Sequence, residues 1–150
     1  MNWDAIGGIG EIVGATAVVV TLGYLAVQIK HSTKLAQSNA HERSVENWLT
    51  ANNPLLEPTI AELFSQGCEN YQGLSLNDRI RFDTLIGNML LNFEAAIEKQ
   101  KLGFASDEFL ATYERYFGAL FKHPGVKEYF KENRPFYTES FSKFIDRFDA

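Results

Sequence analysis

Glu94 and Glu98 stand four residues apart, the spacing at which two carboxylates share a helix face and can grip one divalent cation. A di-iron bundle site also needs Glu-x-x-His, which neither residue begins. A solvated helix face is the plainer reading of the pair. His31, His41 and His123 are scattered and lack the H-E-x-x-H spacing of a zinc site. Cys68 is the only cysteine, which rules out an intrachain disulfide and a cysteine-rich zinc site. With no histidine near it in sequence, it reads as a structural thiol rather than a nucleophile. There is no G-x-S-x-G elbow, P-loop or dinucleotide fingerprint. These residues point away from an enzyme and assign no catalytic residue, metal ligand or cofactor.

Glu11 is a different case, because it is the only formally charged side chain in residues 5–29. At about 1.5 Å per residue, such a run forms a helix of roughly 37 Å, longer than a ~30 Å hydrocarbon core. Trp3 and Tyr24 lie near its ends, where amphipathic aromatics settle at the interface, and Lys30, His31 and Lys34 follow it. Trp3, Lys30 and Lys34 are the expected interface anchors. A cleaved signal peptide wants a positive start and a small-residue cleavage site, and neither is present. The run is expected to be a retained transmembrane helix, with the following domain cytoplasmic by the positive-inside rule and the short N-terminus outside. The competing reading is a buried helix of a soluble protein. There Gly7, Gly8, Gly10 and Gly14 would each cost about 1 kcal/mol relative to Ala. A carboxylate within hydrocarbon costs several kcal/mol unless solvated or paired. Glu11 is therefore either an intramembrane polar site or, within two turns of the N-terminal end, a group that reaches interfacial water.

Gly7, Gly10, Gly14, Ala17, Thr21, Tyr24 and Gln28 alternate by three and four and so form one stripe along the helix. Gly10 and Gly14 also make a GxxxG match, which is weak by itself. The heptad-like continuity carries more weight. It predicts left-handed packing of this helix on copies of itself or on another protein's helix.

The remainder reads as helices. Residues 31–53 are polar, with Leu35, Val45 and Leu49 spaced for one apolar face, and nothing interrupts the chain between Ala26 and Asn53. Pro54 and Pro58 break it. A helix is expected over residues 57–70, burying Ile60, Leu63 and Phe64. Ser75 and Asp78 resemble a capping box. Leu76–Lys101 is the clearest helix, with Phe82, Leu85, Ile86, Met89, Leu90, Phe93 and Ile97 on one face and Gly103 as its stop. Ser106 caps the next, which presents Phe109, Leu110, Tyr113, Phe117, Leu120 and Phe121. His123-Pro124-Gly125 is expected to end it, before a short helix over residues 126–133. After Pro135, Tyr137, Phe141, Phe144 and Phe148 fall on one face. Nine of the twelve phenylalanines lie between Phe104 and Phe148. That density favours a small core built from large side chains, with a lipid or small-molecule pocket or a partner surface as the alternatives.

The fold expected is all-α: one transmembrane helix, then a cytoplasmic bundle of four to six helices. The domains are 1–30 as anchor, 31–53 as juxtamembrane helix and 54–150 as helical domain. With 45% hydrophobic and 22% charged residues, the composition is that of an ordinary folded chain and argues against disorder. A net charge of −5 leaves no basic surface for nucleic acid.

The opening Asn2-Trp3-Asp4-Ala5-Ile6-Gly7, followed by Ile9-Gly10-Glu11-Ile12-Val13-Gly14-Ala15 and by Tyr24-Leu25-Ala26-Val27-Gln28-Ile29-Lys30, resembles a family of small uncharacterised bacterial single-pass membrane proteins. Their signature is W-x-A-I-G-x-I-G-E-I-V-G-A. His123-Pro124-Gly125 and the aromatic run to Phe148 are similar to the family's C-terminal pattern. The resemblance is specific over about thirty residues and implies a bacterial inner-membrane location but no reaction. The expected function is non-enzymatic: assembly through the transmembrane helix, as a homo-oligomer or an accessory subunit of a membrane complex. Membrane lipid is a further expected partner. The alternatives are an oligomeric ion channel with Glu11 near the axis, and lipid or small-molecule binding by the aromatic-rich domain.

Overall fold

The computed structural model describes residues 3–148, with side chains from Gly7 onward. Six α-helices follow one another: α1 Trp3–Asn52, α2 Pro58–Glu69, α3 Leu76–Lys101, α4 Asp107–Leu120, α5 Pro124–Asn133 and α6 Glu139–Ile145. Short 3₁₀ turns join several of them, and no strand occurs among the described residues. Contacts divide the chain into two compact units, Met1–Asn39 and Ala40–Ala150. The first contains only α1. The second holds the last turns of α1 together with α2–α6.

The second unit is built around α3. Its predicted face is buried throughout, with Phe82, Ile86, Met89, Leu90 and Phe93 fully enclosed. Each such side chain contributes about 1.5–3 kcal/mol by leaving water. Ser75 Oγ accepts from the Asp78 N–H at 3.3 Å and donates to Asp78 Oδ2 at 2.6 Å. The capping box is therefore one-sided: the short Asp side chain takes the hydroxyl proton instead of reaching back to the Ser75 backbone. At the other end Gly103 has φ +75°, a left-handed conformation that costs glycine nothing. Phe104 N donates to Lys99 O and Gly103 N to Gln100 O, the paired bonds of a Schellman stop.

Against α3 stand the aromatic faces of α4 and α6. Phe93 stacks on Phe117 with centroids 4.4 Å apart and planes 6° from parallel, and Phe141 and Phe144 meet Phe93 edge-on. Most of the aromatic run thus fills a core, while Phe104 and Phe136 stay exposed. Ser106 caps α4 as expected, accepting from Phe109 N at 3.1 Å.

Three local expectations are corrected. Pro124 and Gly125 open α5 rather than closing the preceding helix, which ends at Leu120. Proline is suited to the first helical position because its missing N–H would have no partner there. Within α2, Ile60 and Phe64 are only half-buried, while Leu63, Gly67 and Cys68 are buried. The glycines explain the shift. A Cβ on Gly125 would fall on the Gly67 carbonyl, and one on Gly67 would fall on the Phe82 ring. The α2 and α5 backbones approach each other where neither residue has a side chain. The last correction concerns α1. Within the second unit its packed face carries Ser44, Trp48 and Ala51, whereas Val45 and Leu49 remain exposed. Trp48 makes edge contacts with Tyr113, Tyr116 and Phe117 at 4.6–6.0 Å, and the Lys99 ammonium donates to Ser44 Oγ at 2.8 Å.

Candidate interaction surface

Every residue from Gly7 to Leu35 is exposed. The large apolar side chains between Ile9 and Ile29 retain 47–69% of their accessible surface. Soluble monomers rarely expose contiguous apolar patches above roughly 600 Å². Eleven such side chains on one helix together exceed that. This is the one helix among the described residues that is long and apolar enough to cross a membrane.

The predicted stripe lies within this segment. A Cβ added at Gly7, Gly10 or Gly14 meets nothing within 4 Å, so these glycines leave a bare strip of backbone. Thr21 Oγ1 donates to Ala17 O at 2.8 Å, and Thr16 and Thr33 bond Ile12 O and Ile29 O in the same way. These hydroxyls satisfy themselves within the helix, so they can face hydrocarbon or a second helix without a stranded donor. Tyr24, Gln28, Lys30 and Lys34 are exposed, as is Glu11 one residue beyond Gly10. Trp3 lies outside the residues whose side chains are described.

In the helical body the sequence candidates take separate structural jobs. Glu94 Oε1 accepts from the Thr138 N–H at 3.0 Å and from its hydroxyl at 2.5 Å, so it anchors the start of α6. Thr138 Oγ1 in turn accepts from Phe141 N as the helix cap. Glu98 pairs with Lys101 at 2.6 Å. Among the described residues no group of three or more His, Cys, Asp or Glu is placed to hold a metal ion. His41 lies edge-on to Phe109 at 4.9 Å, while His123 occupies the N-cap of α5 and is exposed. Burial, helped by the neighbouring Glu69 charge, pushes the Cys68 thiol up to about 11, so it stays protonated near neutrality.

A polar cluster between α3 and α5 had no local signal in the sequence, since its members come from residues 71 to 137. The Arg79 guanidinium lies 4.3 Å over the buried Tyr71 ring and pairs with Glu132. Gln72 donates to Glu132 Oε1 at 2.6 Å, and the Tyr129 and Tyr137 hydroxyls are 3.1 Å apart. Burial raises the Asp83 carboxyl, with its Tyr71 hydrogen bond and the Arg79 charge pulling the other way, and Asp83 Oδ1 has no partner. The cluster ties Tyr71 and the first turns of α3 to α5.

On the outer side of the α1–α4 contact, Val45, Trp48, Phe109, Thr112, Tyr113 and Tyr116 line an open, mainly apolar groove of about 280 Å³. Trp48, the residue that builds it, went unread in the sequence because a lone Trp in a polar stretch breaks no pattern. Compared with protein-family models, curated proteins and solved structures, the chain matches none.

Proposed function

We propose that this chain is a single-pass protein of a bacterial inner membrane whose helical body lies in the cytoplasm. It acts without catalysis, assembling through α1 as a homo-oligomer or as an accessory subunit of a membrane complex. The observation carrying this reading is the unbroken exposure of Gly7–Leu35 together with the bare Gly7-Gly10-Gly14 strip. In a bilayer the apolar side chains meet lipid, and the strip lets a second helix backbone approach closely. Lys30 and Lys34 after the apolar run, and Asp4 before it, favour a cytoplasmic body. Native mass spectrometry of the chain extracted from its own membranes in mild detergent tests the proposal. A complex larger than one chain is expected; recovery as a strict monomer, or in the soluble fraction, would contradict it.

A second reading rests on the groove beside Trp48. Its lining is mainly apolar and aromatic, which suits a stretch of hydrocarbon chain better than a polar metabolite. Brominated lipid should quench Trp48 fluorescence in a Trp3→Phe chain if this groove takes lipid; unchanged emission removes the reading.

A further inference from the structure

Between the last turns of α1 and the middle of α3, both within the second unit, Asn47, Thr50, Ala51, Asn88, Leu91 and Asn92 line a cleft of about 330 Å³. No charged side chain lines it. Asparagine is a poor helix former, because its amide competes for the backbone's hydrogen bonds. Away from first and last turns, the described α-helices hold four asparagines, Asn39, Asn47, Asn88 and Asn92, and three of them line this cleft. Thr50 is also unlike its counterparts. The hydroxyls of Thr16, Thr21, Thr33, Ser44, Thr84 and Thr112 each donate to the carbonyl four residues back. Thr50 makes no such bond among the described residues, so its hydroxyl is left to the cleft. Asn92 Nδ2 donates to Asn88 O at 2.9 Å, which leaves Asn92 Oδ1 as an acceptor. The Asn47 and Asn88 side-chain amides have no partner among the described residues, and each offers donors and an acceptor.

We propose that this cleft holds an extended, uncharged segment of a partner polypeptide by its main-chain amides. A carboxamide carries the same donor and acceptor as a peptide group, so the two can pair directly. The spacing fits such a ligand. Asn88 and Asn92 are four residues apart, about 6 Å along α3, and alternate residues of an extended chain repeat at roughly 6.6 Å. One asparagine can therefore meet each alternate peptide group, with Asn47 and Thr50 contributing from α1. Leu91, 52% exposed, gives the segment an apolar wall. The uncharged lining offers nothing to an acidic or basic side chain, and no aromatic ring lines the cleft to carry the face of a sugar. Main-chain hydrogen bonds supply the affinity, as they do when a strand is added to a sheet edge.

The test is a nuclear magnetic resonance titration of the full chain in phospholipid nanodiscs, with asparagine side chains isotopically labelled. Three probes are compared: the blocked peptide acetyl-Ser-Ala-Ser-Ala-Ser-Ala-amide, the same peptide with esters in place of alternate amides, and maltotriose. The blocked peptide is expected to shift the Asn47, Asn88 and Asn92 side-chain signals together and saturably. The ester form should bind about tenfold more weakly or worse, and maltotriose should shift none of the three. Asn88→Ala should weaken the blocked peptide about tenfold, while Asn39→Ala leaves it unchanged. Alanine is the better helix former and Asn88 is exposed, so the unfolding midpoint of Asn88→Ala should not fall. No saturable shift at the three asparagines with the blocked peptide would overturn the proposal. Equal binding of the ester form, a matching response to maltotriose, or undiminished binding by Asn88→Ala would each overturn it as well. None of these results bears on assembly through α1.

Discussion

The Cys68 thiol and the Asp83 carboxyl are both pushed upward by burial, and this fixes the direction of two measurements. An acid whose pKa is higher in the folded state stabilises the fold below its unfolded value and loses that contribution as pH rises through the folded one. For Cys68 the window runs from 9.0 to about 11, and Tyr71, Tyr113, Tyr116 and Tyr129, raised from 10.0 by the same burial, act in the same direction. Urea unfolding followed by circular dichroism should show stability flat near pH 8 and falling above pH 9. Cys68 should also resist maleimide at pH 8 until the body is unfolded. For Asp83 the loss begins above 3.8, so Asp83→Asn should flatten the slope there; an unchanged slope would mean that the carboxyl is not desolvated. Residue roles were the least legible part of the sequence. The Glu94–Glu98 spacing correctly implied a shared helix face. The Thr138 backbone that Glu94 caps lies 44 residues away, and no local pattern announces such a partner.

Among the elements, α3 was legible to its ends, because a wide 3.6-residue apolar period coincides with a Ser cap and a glycine stop. The start of α5 was not, since Pro-Gly is read as a turn unless a close backbone contact requires the glycine. That contact makes a prediction: Gly125→Ala should destabilise the body by about 1–3 kcal/mol, the usual cost of overpacking against atoms that cannot move. A chain of unchanged stability would place α5 farther from α2. The packed side of α1 in the second unit depends on one large residue. Trp48→Ala should cost about 2 kcal/mol, below the 3–5 of a fully buried Trp, and should raise hydrogen exchange over residues 40–52 specifically. Periodicity found Leu35, Val45 and Leu49 on one face but gave no reason to expect that face to stay open. The reason lies in tertiary structure: Trp48 and Ser44 take the contacts to α4 and to Lys99.

At the scale of the whole molecule, the two units solve the problem of apolar surface in opposite ways. Ala40–Ala150 folds most of its aromatics inward around Phe93, whereas the first unit has no second element on which to fold. In the function proposed, lipid covers its surface and another helix covers the glycine strip. The most direct test of that claim compares the oligomer fraction in native membranes for two double variants of the full chain. Gly10→Leu with Gly14→Leu fills the strip, and Gly8→Leu with Gly23→Leu adds the same bulk away from it, leaving insertion intact in both. The account predicts that the first variant dissociates to monomer while the second assembles like the parent. Equal assembly by both variants would contradict it.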